Sequence, residues 1–216
     1  IDGEKKLTER NATIVYSGGD DVFIVGAWNK VIELSIDLQE KFKKYTQGTL
    51  SISSGIGIYE CTYPIGAIAN ETGEMEAESK RMPKKDSVTF MDDGETHLIN
   101  ELEICDGTYR WEELYKSVLG EKYDVIQDFL GESDERGMSF LYRMLELIRN
   151  QKEKINFARF VYLLSRLEPD KEGEKKEKYR KFSRKMYQWV QSEKDCRELK
   201  TAINLYAYMH REKGAH

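Results

Sequence analysis

Over its first ninety residues the chain changes hydrophobic period repeatedly, as a small mixed unit of strands and helices does, whereas from about Thr96 onward it reads as helical. Ala12 to Tyr16 and Val22 to Val25 are β-rich runs separated by Ser17, Gly18, Gly19, Asp20 and Asp21. Those are tight-turn residues, and the pattern predicts a hairpin. Trp28, Val31, Ile32, Leu38, Phe42 and Tyr45 recur at helical spacing, which predicts an amphipathic helix ended by Gly48. Leu50, Ile52, Ile56 and Ile58 then alternate with Ser51, Ser53, Gly55 and Gly57, a strand with one packing face and one nearly bare face. The bare face admits either a close-packed helix or a ligand that must approach the backbone. Pro64 suits the first turn of a helix running to about Arg81, and Ser87 to Met91 supplies another strand. The order is β-β-α-β-α-β. The expected fold class is α+β: a ferredoxin-like sheet with helices on one face over residues 1–95, then an all-α bundle over residues 96–216.

In the second part, helices are predicted at about Trp111 to Leu119, Lys122 to Leu130, Met138 to Asn150, Ile155 to Leu167, Glu174 to Gln191 and Lys194 to Glu212. Asp195, followed three residues later by Glu198, resembles a capping box and favours a helix break near Ser192. Phe140, Leu141, Met144, Leu145 and Ile148, with Phe157, Phe160, Val161 and Leu164, form stripes wide enough for a bundle core.

Composition narrows the function classes. No run approaches the roughly 18 apolar residues of a membrane span, and no signal segment opens the chain, so it reads as cytoplasmic with no membrane partner. The chain begins at Ile1 rather than Met, directly before a strand-like run, which suggests a fragment of something longer. Cys61, Cys105 and Cys196 are widely separated and are expected to be free buried thiols rather than zinc ligands. With only His97, His210 and His216, no Ser/His or Cys/His nucleophile arrangement can be proposed. A formal net charge of −5 argues against a wholly nucleic-acid-binding surface. Lys175, Lys176, Lys178, Arg180, Lys181, Arg184 and Lys185 nevertheless concentrate positive charge on one helix, either as a phosphate-binding stripe or as a solvated face offset by Glu172, Glu174 and Glu177.

The sharpest chemical signal is Gly18-Gly19-Asp20-Asp21. Glycines let phosphate oxygens come close to main-chain amides, and carboxylates at such a tip are hard oxygen ligands for Mg²⁺ or Mn²⁺. A two-metal site of that kind serves phosphoryl or nucleotidyl transfer. Adjacent strand residues face opposite sides, so Asp20 and Asp21 share a metal only if the turn rotates one of them. Gly-Gly and Gly-Asp are also ordinary hairpin pairs without chemistry. The following amphipathic helix, the Ser53-Ser54-Gly55 strand and a helix ending in Lys80 favour the chemical reading. Lys80 could neutralise phosphate, or simply favour a helix C-terminus.

Ile14-Val15-Tyr16-Ser17 leading into Gly18-Gly19-Asp20-Asp21 resembles the second palm domain of the large, polymerase-like subunit of type III CRISPR effector complexes, of the Csm (III-A) type. Leu50 to Ile58, Tyr63-Pro64-Ile65 opening a helix, and Glu78-Ser79-Lys80 closing it are similar to that family as well. So are Ser139 to Leu145 and Ala158 to Arg166 in its C-terminal helical domain. The resemblance spans nearly the whole chain, with the GGDD turn its most specific element. It implies a palm that converts ATP to cyclic oligoadenylates with Mg²⁺ or Mn²⁺. Asp20 and Asp21 would be catalytic and metal-bearing, Ser17, Gly18 and Gly19 would hold the triphosphate, Ser53 or Ser54 would line the nucleotide pocket, and Lys80 would face phosphate. The helical domain would dock onto small subunits and a neighbouring large-subunit partner, near guide and target RNA. No His-Asp pair occurs, so the family's DNA-cutting chemistry is not expected here, and the palm's first strand, with a further carboxylate, is expected upstream of Ile1. The alternatives are a diguanylate-cyclase-like domain, set apart by GTP rather than ATP binding, and a non-catalytic ribonucleoprotein scaffold.

Overall fold

The computed structural model describes residues 11–91, 94–99, 101–131, 135–149 and 154–211. The chain forms two compact units, Ile1–Glu112 and Glu113–His216.

The first unit contains β1 (Ala12–Gly18), β2 (Asp21–Gly26), α1 (Trp28–Tyr45), β3 (Ser53–Ile56), α2 (Ile65–Lys80), β4 (Ser87–Phe90), β5 (Thr96–Ile99), β6 (Leu102–Cys105) and β7 (Thr108–Arg110). The mixed α/β class and the β-β-α-β-α-β order match expectation. The strands, however, are shared among small sheets, β1-β2, β3-β4-β7 and β5-β6, rather than gathered into one. β3 and β4 are parallel, so the chain needs a crossover between them, and α2 supplies it. β4 is central and wholly buried, with β7 antiparallel on its other side. The Oγ1 atoms of the paired residues Thr89 and Thr108 meet at 2.9 Å. Ser87 donates its hydroxyl to the Ser79 carbonyl at 2.6 Å, tying the end of α2 to the start of β4. Val88, Phe90, Ile104, Tyr109 and Trp111 form the core, and the Trp111 indole N–H donates to the Ile52 carbonyl at 2.9 Å.

Gly55 shows which use is made of the bare strand face. A Cβ there would lie 2.7 Å from both the Met75 Cβ and the Glu76 nitrogen, so the backbone of α2 lies directly against β3. The face is a helix seat.

Residues after Thr96, expected to be helical, instead form β5, β6 and β7, and the division between units falls after Glu112 rather than at residue 95. Strands of three or four residues are too short to display a period of two. The Asp106-Gly107 turn between β6 and β7 was the available signal. Among the cysteines, Cys105 and Cys196 are buried free thiols, whereas Cys61 is exposed in the loop before α2. Among the described residues no helix is long and apolar enough to cross a membrane.

The second unit is helical. Trp111–Glu113 opens a helix that becomes π-helical over Leu114–Tyr123 and returns to α over Asp124–Leu130, together α3. Two helices were expected here. The widened turns carry the chain through Gly120 without a break and align Leu114, Val118 and Lys122 on the buried side. α4 (Glu135–Arg149), α5 (Lys154–Ser165), α6 (Glu174–Trp189) and α7 (Glu193–Arg211) follow the predicted stripes. Leu141, Met144, Leu164, Phe182, Met186, Leu199 and Ile203 are buried, whereas Phe157, expected inside, is 43% exposed. The break between α6 and α7 lies where expected, but Ser192 makes the cap: its hydroxyl accepts the Asp195 N–H at 3.3 Å. Asp195 and Glu198 turn instead to Lys122.

Candidate functional site

The Gly18–Asp21 turn is built by strand pairing. Gly18 pairs with Asp21, leaving Gly19 and Asp20 as the two turn residues. Gly19 has φ +63°, a conformation glycine adopts without steric cost, as the primed hairpin turns require. The register slips between Ile14 and Tyr16, so Val15 is an extra residue that bends β1 as it approaches the turn. Gly18 lies under the phenol of Tyr16, and a side chain there would displace that ring. Tyr16 is a neighbour of the turn that sequence reasoning did not single out, although its place two residues before Gly18 puts it on the same strand face.

Asp20 and Asp21 are both exposed, and neither has a cationic hydrogen-bond partner among the described residues. Ser17 is exposed beside them and pairs with Val22. Lys80, the last residue of α2, contacts Glu76 at 2.7 Å. Its ammonium is held above the ordinary lysine range first by its hydrogen bond to Glu76, with the charges of Asp21 and Asp20 adding to it. The C-terminal end of α2 therefore stands within electrostatic reach of the hairpin tip.

The serines are placed differently. Ser53 donates its hydroxyl to the Lys85 carbonyl at 2.7 Å, and Ser54 is half-buried where β3 pairs with Val88. Among the described residues no hydrogen bond joins either serine to the turn. A groove of about 240 Å³ lies at the end of α1, lined by residues from Gln39 to Asp86, and no hairpin residue contributes to it.

No group of three or more His, Cys, Asp or Glu side chains stands together among the described residues. Two exposed carboxylates at a glycine turn still suit Mg²⁺, which typically takes one or two carboxylates, several waters and substrate phosphates rather than an all-protein cage.

On α6, much of the basic stripe is neutralised within the second unit. Lys176 reaches Glu172 at 3.2 Å and Glu168 at 3.5 Å, Arg180 reaches Glu172 at 3.0 Å, and Lys178 reaches Asp128 at 3.8 Å. Lys185 pairs with Glu121 at 2.7 Å. Lys175, Lys181 and Arg184 are exposed without an acidic partner among the described residues.

A strand-hairpin-helix unit with an exposed GGDD tip, followed by a helical bundle, defines a palm-type domain joined to a helical domain. Residues 2–89 match the family model described as Cas10/Cmr2, second palm domain, and residues 127–212 match that of the CRISPR RNA silencing complex Cmr2 subunit, second helical domain. The chain is 40% identical over 213 residues to a Mycobacterium tuberculosis protein named CRISPR system single-strand-specific deoxyribonuclease Cas10/Csm1 (subtype III-A), covering 99% of this chain and 25% of that protein. Proteins of the same name from Streptococcus thermophilus and Enterococcus italicus are 33% and 36% identical, each over 93% of this chain and over 25% and 23% of their own lengths. The chain belongs to the Cas10/Csm1 family of subtype III-A CRISPR systems. It spans about a quarter of the length of these curated relatives.

Proposed function

We propose that this chain supplies the GGDD half of a nucleotide cyclase site that joins ATP into cyclic oligoadenylates, within the large subunit of a type III-A CRISPR complex. The observation that carries this reading is the exposed Gly18–Asp21 tip with the Lys80 ammonium in its field.

Gly19 has empty space where a side chain would stand, which lets phosphate oxygens approach the main chain of the turn, and Gly18 flanks it beneath the Tyr16 phenol. Asp20 and Asp21 hold the divalent ions, Mg²⁺ or Mn²⁺, which when bound supply neutralisation of phosphate charge and a more acidic attacking hydroxyl. Lys80 offsets charge on the β- and γ-phosphates. In the reaction a ribose 3′-oxygen forms a bond to the α-phosphorus of a second ATP in line. The bond from that phosphorus to the bridging oxygen breaks, pyrophosphate leaves, and the hydroxyl proton passes to solvent. Ser17 and Ser54 border the triphosphate and the nucleotide. Ser53 acts at one remove, by holding the turn before β4.

The helical unit is the docking module for neighbouring Csm subunits, with Lys175, Lys181 and Arg184 available to RNA phosphates. Adding ATP with Mn²⁺ should raise the melting temperature of the wild-type chain but not of Asp20→Ala/Asp21→Ala. Equal shifts in both would move nucleotide binding away from the turn, and a selective response to GTP would replace ATP as the substrate.

A further inference from the structure

We infer that the groove between the C-terminal end of α1, the loop into β3 and the turn before β4 is a second binding site, separate from the Gly18–Asp21 turn, for one phosphorylated nucleoside unit. Its volume, about 240 Å³, is slightly below the roughly 300–1,000 Å³ of sites that enclose drug-sized ligands. It therefore encloses one nucleotide unit, either free or part of a strand whose other units lie outside the groove.

Three kinds of chemistry meet in it. Lys43 and Lys84 both line the groove, and neither ammonium has an acidic partner among the described residues, unlike most lysines of α6. Two unpaired cations facing one hollow are a phosphate site. Phe42, Leu50 and Ile52 supply an apolar wall suited to the face of a base or sugar. Asp86 is the one acid in the lining, and the buried Gln39 donates its side-chain N–H to the Asp86 Oδ1 at 3.1 Å. That bond fixes the carboxylate as an acceptor for a ribose hydroxyl or a base amine. Two lysines against one aspartate leave the lining at +1, the sign a phosphate requires.

The backbone is arranged to present Lys84. The Lys85 N–H donates to the Met82 carbonyl at 3.0 Å around Pro83 and Lys84, and Lys84 has φ +73°. This is the pattern of a type II turn, whose third position favours glycine. A lysine occupies it instead, and Lys85 follows with φ +50°. Ser51 and Ser53 donate to the Lys84 and Lys85 carbonyls at 3.0 and 2.7 Å and clamp the strained turn. Strained backbone is retained where a side chain has a task. Here the strain puts a cation at the groove.

The test is calorimetric titration of the 216-residue chain with AMP, the dinucleotide ApA, adenosine and inorganic phosphate. AMP or ApA should bind saturably. Tighter binding of AMP assigns the site to free nucleotides, and tighter binding of ApA assigns it to a unit of an oligonucleotide. Lys43→Ala/Lys84→Ala should weaken binding by about tenfold or more, since a hydrogen bond to a charged group is worth that much. Lys84→Gly should weaken it too while leaving the melting temperature unchanged or higher, which separates a lost contact from a lost fold. Asp20→Ala/Asp21→Ala should leave it intact. The inference is overturned if neither nucleotide binds, if adenosine or phosphate binds as tightly as AMP, if binding survives loss of both lysines, or if it disappears with the two aspartates.

Discussion

Lys122 and Glu198 form an ion pair at 2.6 Å in which each side chain is only 1% exposed. Asp195 accepts from the same ammonium at 2.9 Å, and the Trp189 ring lies 5.0 Å from it. Burial by itself would lower the Lys122 pKa, but the hydrogen bonds to Asp195 and Glu198 outweigh it and hold the lysine above its ordinary range. Such a group is worth less as a pair than it costs when broken. Lys122→Met, which leaves the buried Glu198 with the more distant Lys194 at 3.7 Å, should destabilise the chain by about 3 kcal/mol in urea unfolding. Lys122→Met/Glu198→Leu should recover most of that loss. An additive double variant would show that the two side chains are not coupled.

Alkaline pH tests the same bundle from another side. Tyr206 is buried, and its phenol is pushed up to about 12, first by burial and then by the nearby charge of Tyr123. Its proton is bound more tightly in the folded chain, so its contribution is fully present below the ordinary tyrosine range near pH 10 and is lost as pH rises toward 12. The urea midpoint should fall steeply between these values. In Tyr206→Phe the fall should be shallower, and the latest-titrating component of tyrosinate absorbance, which Tyr206 shares with Tyr59, should shrink.

Gly55 is expected to tolerate no side chain. Gly55→Ala places a methyl group against Met75 and the backbone of α2, an overpacking that should cost about 1–3 kcal/mol. Gly73, with open space on the outer side of α2, is the control, and Gly73→Ala should stabilise by roughly 0.5–1 kcal/mol through helix propensity. Equal effects at the two glycines would mean that α2 does not rest on β3.

If the Gly18–Asp21 turn binds nucleotide as proposed, Glu76 competes with that nucleotide for Lys80. Glu76→Gln should strengthen the response to ATP and Mn²⁺ a few-fold, because it removes an anion from beside the phosphate site and frees the lysine. Lys80→Met should weaken that response. Both residues are partly exposed, so stability should change by less than about 0.5 kcal/mol in either variant. Thermal shifts measured with and without nucleotide separate the two effects.

Much of this arrangement was legible before any coordinates. Gly18-Gly19-Asp20-Asp21 between two β-rich runs could only be a turn, and the stripes of α4 to α7 announced their buried faces. The bare face of β3 was legible as a choice between two occupants, and Gly55 against Met75 decided it. Less visible were β5 to β7, whose three or four residues carry too little pattern, and Ser192, whose capping role was assigned to Asp195. Lys122 was hidden altogether, since a lysine in a helix ordinarily lies on a solvated face.

Residue order alone settled the element types outside β5 to β7, and the glycine turn of the hairpin. Periods of 2 and 3.6, turn residues and caps depend on neighbours only a few positions away. Folding in three dimensions decided that Lys80 shares the field of Asp20 and Asp21, that Ser53 braces a turn, and that Lys43 and Lys84 face one groove. It also brought Glu198 to Lys122. Charge pairing and cavity lining join residues far apart in the chain, and their energies depend on burial and distance, which local spacing does not encode.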